Sequence, residues 1–371
     1  MEMSDTERAE LASAVRDVLS QSCTEAEVRR IAHSTDGFDP QLWAKLAGVG
    51  IPGLIVEEHY GGVGLGAREL EAVAEVTGAA LLPAPFLGSA VLGTALIQAA
   101  GTAEDKARLL PALAQGSSIC TVAVAGPRGD WSRNGVAVRA KAQGCDFELT
   151  GTAHYVLDGQ IADVVLVVAA IDGDLDGGMG IFEVDPQAVG FRRNAVDVFD
   201  PTVRLSTFDL ESTPARRLGE AGWSAVERAI SLGVIALAGE QAGGARRIFE
   251  MTLDYLKTRI QFGRAIGSFQ ALKHMAADLL VEVESATSAA QHAAAQYDRH
   301  PADAAGAVAL AGFSCAQAYT VTATQAIQMH GGIGFTWEHP AHLFLRRART
   351  ADQLFGGSDY HRERYLAAKG A

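Results

Sequence analysis

Apolar residues recur at three- and four-residue spacing through the first third of the chain, the period of one helix face. Residues 7–19 and 40–46 carry it, alanine is frequent, and Pro83 and Pro85 punctuate the run. Residues 59–66 (HYGGVGLG) read as a glycine-rich turn. From about 117 to 217 the pattern shortens into β-prone runs at 120–124, 135–142, 147–151, 164–170, 180–184 and 206–210. Gly144, Asp172, Gly173, Gly177 and Gly178 separate them. Short strands with such punctuation predict an antiparallel barrel or sandwich. From about 222 the helical period returns in long runs, 223–255, 269–297 and 303–330, with a shorter one at 346–355. Gly233, Gly243 and Gly244 sit in the first of these as close-packing points. Long helices side by side predict a bundle. No internal repeat or low-complexity linker interrupts the order helical, β, helical.

The chain has 371 residues, enough for two or three packed domains. No uninterrupted apolar stretch reaches the ~18 residues of a membrane span, so none is expected. Residues 1–8 are polar and acidic, unlike a signal or transit peptide. A net charge of -13 argues against nucleic-acid binding, which needs a basic face. Cys23, Cys120, Cys145 and Cys315 are scattered without paired spacing and read as free thiols of a cytoplasmic protein. His274, His330 and His361 have no metal-ligand spacing, so no metal is assigned. No Ser-His-Asp or Cys-His nucleophile pattern is recognisable.

Two segments carry chemistry. The first is Tyr255-Leu256-Lys257-Thr258-Arg259-Ile260-Gln261-Phe262-Gly263-Arg264-Ala265-Ile266-Gly267-Ser268-Phe269-Gln270. An arginine at a helix end, followed by Phe-Gly, sets a cation beside a flat apolar ring. That pair suits a dinucleotide, with pyrophosphate on the guanidinium and adenine on the ring. Gln270, opening the next helix, can read a polar edge. The second is Gln328-Met329-His330-Gly331-Gly332-Ile333-Gly334-Phe335, where Gly331 and Gly332 remove side chains so that backbone can approach phosphate. Singly, these are also what a helix-capping arginine and turn glycines look like. Residues 59–66 imitate a GxGxxG loop, but no strand precedes them, so that reading is weak. Arg346, Arg347 and Arg349 follow His339 and His342, either as a phosphate-facing cluster or as a helix face paired with acids.

The two segments at their mutual spacing resemble the acyl-CoA dehydrogenase family, and the α–β–α order extends that resemblance over nearly the whole chain. It implies an α+β, mostly α fold: an N-terminal helical domain (1–116), a middle antiparallel β-barrel domain (117–217) and a C-terminal four-helix bundle (218–371). It implies FAD, with Arg259, Phe262, Gln270, Gln328, Gly331 and Gly332 on its ADP part at a subunit interface, and hence a homo- or hetero-oligomer, dimer or tetramer. It places residues 59–66 near the acyl pocket. The implied reaction takes the α-proton and β-hydride from an acyl-CoA, giving the 2-enoyl-CoA and passing electrons to an electron-transfer flavoprotein.

The pattern breaks where the proton must go. The family's usual carboxylate base matches Gly356, and the alternative helix position matches Gly233. Glu240, two helical turns beyond Gly233, is the substitute to weigh, with Asp352 and Asp359 behind it. The family's Thr-Glu-Pro run by the flavin is Ala125-Gly126-Pro127-Arg128-Gly129-Asp130 here, and its Trp-x-Thr is Tyr155-Val156-Leu157. Tyr155 can still pack on the flavin ring. The tail from Leu354 to Arg362 resembles an actinobacterial subset in which unlike subunits form two-plus-two heterotetramers acting on steroid side-chain CoA thioesters. Three functions follow: an FAD-dependent acyl-CoA dehydrogenase, a partner subunit needing a second chain for its base, or an FAD/acyl-CoA-binding protein without redox activity.

Overall fold

A computed structural model describes residues 3–144, 146–173 and 178–370, so Cys145 and Gly177 lie outside the described residues. Six helices come first: α1 (Asp5–Ser22), α2 (Glu25–Ala32), α3 (Pro40–Ala47), α4 (Ala67–Ala79), α5 (Thr94–Ala100) and α6 (Ala103–Ala114). Seven strands follow: β1 (Cys120–Ala123), β2 (Arg139–Gln143), β3 (Asp146–Leu157), β4 (Val164–Ile171), β5 (Met179–Val184), β6 (Phe191–Val196) and β7 (Leu205–Arg217). Then come α7 (Trp223–Thr258), a two-strand hairpin of β8 (Ile260–Gln261) and β9 (Arg264–Ala265), α8 (Gln270–Arg299), α9 (Ala305–His330), α10 (Ala341–Ala351) and α11 (Gly357–Ala368).

Local chemistry starts these helices. Ser4 and Glu7 form a capping box on α1, and Thr102 and Asp105 form another on α6. Asp39 caps α3, with Pro40 in the first turn. The first N–H groups of α4 are satisfied from α8: Ala67 and Arg68 donate to the Asp298 carboxylate at 2.7 and 3.0 Å.

By proximity the chain forms two compact units that do not follow chain order. One gathers Met1–Arg29, Ala67–Leu82 and Val234–Ala371; the other gathers Arg30–Gly66 and Pro83–Gly233.

The second unit contains the β domain. Its strand ladder closes on itself: β4 pairs β2, β2 pairs β3, β3 pairs β7, β7 pairs β5, and β5 returns to β4. β1 and β6 extend the edges of β4 and β7. The expectation of a purely antiparallel barrel needs correction. β1 and β2 both run parallel to β4, in register Cys120↔Val164 and Arg139↔Ala170. Two strands laid end to end along one edge of β4 allow this without a helical crossover between them. Ala140, Leu149, Val167, Phe182, Phe208 and Leu210 fill the interior.

In the first unit, α8, α10 and α11 pack on α9, while α4 packs on α1 and α8. The α4–α7 crossing is closer still. A Cβ on Gly243 would lie 1.8 Å from the Glu75 carbonyl oxygen, and one on Gly78 would lie 2.0 Å from that of Glu240. The two helices therefore touch backbone to backbone. Gly244 is packed by the Tyr319 ring.

The expected short helix at 346–355 is also corrected. The structure has two helices, α10 and α11, broken where Phe355 (φ 56°), Gly356 (φ 119°) and Gly357 (φ 71°) leave the right-handed region in succession. The buried cysteines Cys23, Cys120 and Cys315 are free. Burial raises all three thiols, Cys23 to about 12, which makes them poor nucleophiles.

Gly243→Ala is expected to destabilise the fold by about 1–3 kcal/mol, because the new methyl meets main chain rather than a movable side chain. Urea unfolding measures it; an unchanged midpoint would show that α4 and α7 are not held this tightly.

Candidate functional site

The first segment folds as a helix end, a hairpin and a second helix start. The Arg259 N–H donates to the Tyr255 carbonyl at 2.8 Å as α7 ends, and the Ile266 N–H returns to the Arg259 carbonyl at 2.9 Å. Between them Ile260 pairs Ala265 and Gln261 pairs Arg264. The two-residue loop is Phe262 (φ 52°) and Gly263 (φ 73°). Positive φ at both loop residues is the signature of a tight hairpin turn that ordinarily takes Asn-Gly. A phenylalanine there pays in backbone strain and gains no burial: its side chain is 89% exposed. It meets Phe269 edge-on at 6.0 Å, and the Arg264 guanidinium lies 4.1 Å from the centre of the Phe269 ring. Gln270 then opens α8.

The second segment ends α9. Gly331 (φ 64°, ψ -142°) takes a conformation that favours glycine, and its N–H donates to the Gln328 carbonyl. A Cβ at Gly331 or Gly332 would have no atom within 4 Å, so packing does not require glycine at 332 and the backbone there lies open. The two segments meet through Tyr255 and His330, whose ring centroids are 4.6 Å apart. The structure thus brings the ends of α7 and α9 together; Arg259, Phe262 and Gln270 lie at or just beyond the end of α7, and Gln328, Gly331 and Gly332 at the end of α9.

Tyr155 lies in the other unit. It has a left-handed backbone (φ 57°) where the β3–β7 register shifts between Ala153 and Val156. Its ring covers Gly129, where a Cβ would sit 3.3 Å away, and the neighbouring His154 N–H donates to the Ala125 carbonyl at 2.8 Å. Tyr155 and the Ala125–Asp130 turn are therefore neighbours, although 25 positions separate Tyr155 from Asp130 in sequence. Residues 59–66 form a turn with left-handed Gly61 and Gly64; among the described residues the first strand begins only at Cys120.

The acids weighed as bases are all committed elsewhere. Glu240 is buried, its side chain 6% exposed, with Arg347 Nη1 at 3.6 Å from Oε2 and the Thr77 hydroxyl donating to Oε1 at 3.3 Å. Arg347 also donates to the Leu82 carbonyl at 3.2 Å. Asp352 accepts from the Ser358 hydroxyl, and Asp359 pairs with Arg362 at 2.8 Å in the first turn of α11. At Gly356 a Cβ would lie 2.2 Å from Cδ1 of Tyr360. The basic cluster divides: Arg347 is buried on Glu240, Arg346 lies 5.0 Å from the centre of the Trp337 ring, and Arg349 is exposed.

Sequence reasoning missed the ring stack behind the Gly-Gly turn, in which His330 meets His339 at 4.2 Å and Trp337 meets His342 at 4.5 Å. The available signal was five aromatic or imidazole rings within 330–342, a density that the glycines drew attention away from. Among the described residues, no group of three or more His, Cys, Asp or Glu is placed to hold a metal ion, and no helix is long and apolar enough to cross a membrane.

The chain is thus helical with a closed β domain between its helices, and it carries a cation and a bare ring at the end of α7 and an open Gly-Gly backbone at the end of α9. Comparison with known proteins gives the family. The acyl-CoA dehydrogenase N-terminal domain model matches residues 5–117 and the acyl-CoA dehydrogenase C-terminal domain model matches residues 220–369. Acyl-CoA dehydrogenase IpdE2 of Mycobacterium tuberculosis is 34% identical over 353 residues, covering 94% of this chain and 92% of its own. The ChsE4-ChsE5 complex from Mycobacterium tuberculosis superposes with a TM-score of 0.90 at 29% identity, over 99% of this chain and 98% of that one. The Tcur3481-Tcur3483 steroid ACAD does so with a TM-score of 0.88 at 28% identity, over 98% of each chain. The chain belongs to the acyl-CoA dehydrogenase family, oxidoreductases acting on a CH–CH bond.

Glu240→Gln removes the buried carboxylate that faces Arg347 and is expected to destabilise the fold by about 1–3 kcal/mol. Chemical denaturation checks this. Full stability combined with lost turnover would instead return Glu240 to the role of base.

Proposed function

We propose that this chain binds FAD and acts in the α,β-oxidation of an acyl-CoA thioester to the 2-enoyl-CoA, with electrons passed to an electron-transfer flavoprotein. Its organisation on this reading is 1–116, 117–217 and 218–371, the last a four-helix bundle, in a homo- or hetero-oligomer. The observation that carries the proposal is the contact of Tyr255 with His330, which joins the helix end leading into Arg259–Gln270 to the helix end leading into Gly331–Gly332.

The residues present fit the cofactor. The Arg259 guanidinium makes no side-chain hydrogen bond or ion pair among the described residues, so its charge is available to a pyrophosphate. Phe262 offers a bare ring face to adenine, Gly331 and Gly332 offer uncovered backbone, and Gln270 offers an amide at a helix start. Tyr155 packs beside the turn that faces the flavin in this reading. FAD, when bound, supplies the hydride acceptor. This chain's residues hold and orient it; each acid weighed as a base already has a partner in the structure.

A second reading is favoured by Gly356, whose φ of 119° and contact with Tyr360 leave no room for a carboxylate. In that reading the chain is the partner subunit of a heteromeric dehydrogenase and another chain supplies the base. Among the structural relatives one is by its name a complex, ChsE4-ChsE5, and another a steroid ACAD, Tcur3481-Tcur3483; on this second reading the substrate is a steroid side-chain CoA thioester.

Arg259→Ala is expected to lose most of its FAD on purification, read from the flavin-to-protein absorbance ratio; full flavination would remove Arg259 from the site. Anaerobic mixing with a panel of acyl-CoAs separates the two readings. Bleaching by the chain alone supports the first, and bleaching only after co-expression with a second dehydrogenase chain supports the partner-subunit reading.

A further inference from the structure

Behind the Gly331–Gly332 turn, the segment 331–340 is backed by three imidazoles. His330, 3% exposed, packs between Tyr255 and His339. His342 meets Trp337 edge-on. Nδ1 of His330 lies 2.7 Å from the Ala326 carbonyl oxygen and so carries the proton, while Nε2 is buried without a hydrogen-bond partner. The Ala341 N–H donates to Nδ1 of His339 at 3.2 Å, which leaves that ring's proton on Nε2. Both sites suit a neutral imidazole. A second proton on His330 would go onto a nitrogen with no acceptor, inside apolar surroundings.

We propose that His330, supported by His339 and His342, is a positioning residue for the cofactor: the neutral stack holds the Gly331–Gly332 backbone at the end of α7, and its protonation releases that turn and weakens FAD binding. This rests on the FAD reading above. The groups facing the stack are Tyr255 from α7, Glu25 and Arg29 from α2, and Arg346 from α10. Arg29 Nη1 is 3.5 Å from Nε2 of His342, and Arg346 lies over Trp337; both oppose a further positive charge, while Glu25 favours it. Burial lowers His330 and His339, and burial together with Arg29 and Arg346 pushes His342 down to about 4. A released imidazole protonates near 6.5. The packed arrangement is therefore fully favoured above that pH and loses its advantage as pH falls from about 6.5 towards 4.

The test is the FAD dissociation constant of the full chain, read by flavin fluorescence between pH 8 and pH 4.5. Each imidazole that protonates only on release raises it by about tenfold per pH unit. A slope of roughly two to three protons is expected for the wild type below pH 6.5. It should fall by about one in His330→Phe and by about one in His342→Phe, which keep a ring in each stack. Equal slopes in all three proteins overturn the proposal. Should His330→Phe fail to fold, His342→Phe alone decides in the same way. A wild-type chain that binds no FAD even at pH 8 overturns the FAD reading itself, so the two failures are distinguishable.

Discussion

The helical unit depends on one constraint: α4 and α7 cross so closely that main chain meets main chain at two glycines. Gly78 and Gly243 make this possible, each facing a carbonyl oxygen of the other helix. Interiors are packed so densely that a single added methyl must displace something, and here the obstacle is main chain. The crossing sets the depth at which α7 lies and so determines what its side chains meet. Glu240, whose carbonyl faces Gly78, turns its carboxylate to Thr77 and to Arg347 from α10. Arg347 reaches on to the Leu82 carbonyl just past α4. One buried ion pair thereby joins α4, α7 and α10. Such a pair adds little net stability over an apolar substitute but is costly to break, so it acts mainly to fix which arrangement forms.

Fixing α7 also fixes what lies at its end. Tyr255 sits in the last turn and reaches His330, so the end of α9 is positioned by the same helix that carries Arg259. Beyond this contact the structure departs from its own stability. Phe262 holds a left-handed conformation and a solvent-exposed ring, and Gly332 is a glycine with no steric reason to be one. Strained backbone of this kind costs of order 1–3 kcal/mol and persists where the surroundings impose it. The bundle is tightly packed at its crossing and leaves an aromatic ring and glycine backbone uncovered at one end.

Much of this was legible in the sequence. The order helical, β, helical followed from periodicity, and both motif segments fell where a helix ends and another element begins. Gly243 and Gly244 were identifiable as packing points because a glycine in a long helix needs a reason to be there. Other features lay out of reach. The parallel pairing of β1 and β2 with β4 depends on which edge each strand reaches, and strand periodicity is the same for both directions. The burial of Arg347 was hidden because Glu240 lies more than a hundred positions away, and a run of three arginines looks uniform until packing separates them. The break at Phe355 was missed because a phenylalanine does not announce a left-handed residue. The imidazole stack was missed because its members come together through a turn rather than along a helix face.

The two glycines at the expected base positions are not equivalent. Gly233 is a buried position inside α7. Gly356 lies in a run of three positive-φ residues, beside a tyrosine ring that occupies the place of its Cβ. Restoring a glutamate there would require rebuilding the break between α10 and α11, and the buried Phe355 and the Asp352–Ser358 contact depend on that break. At 356, then, both the left-handed backbone and the Tyr360 ring oppose a carboxylate.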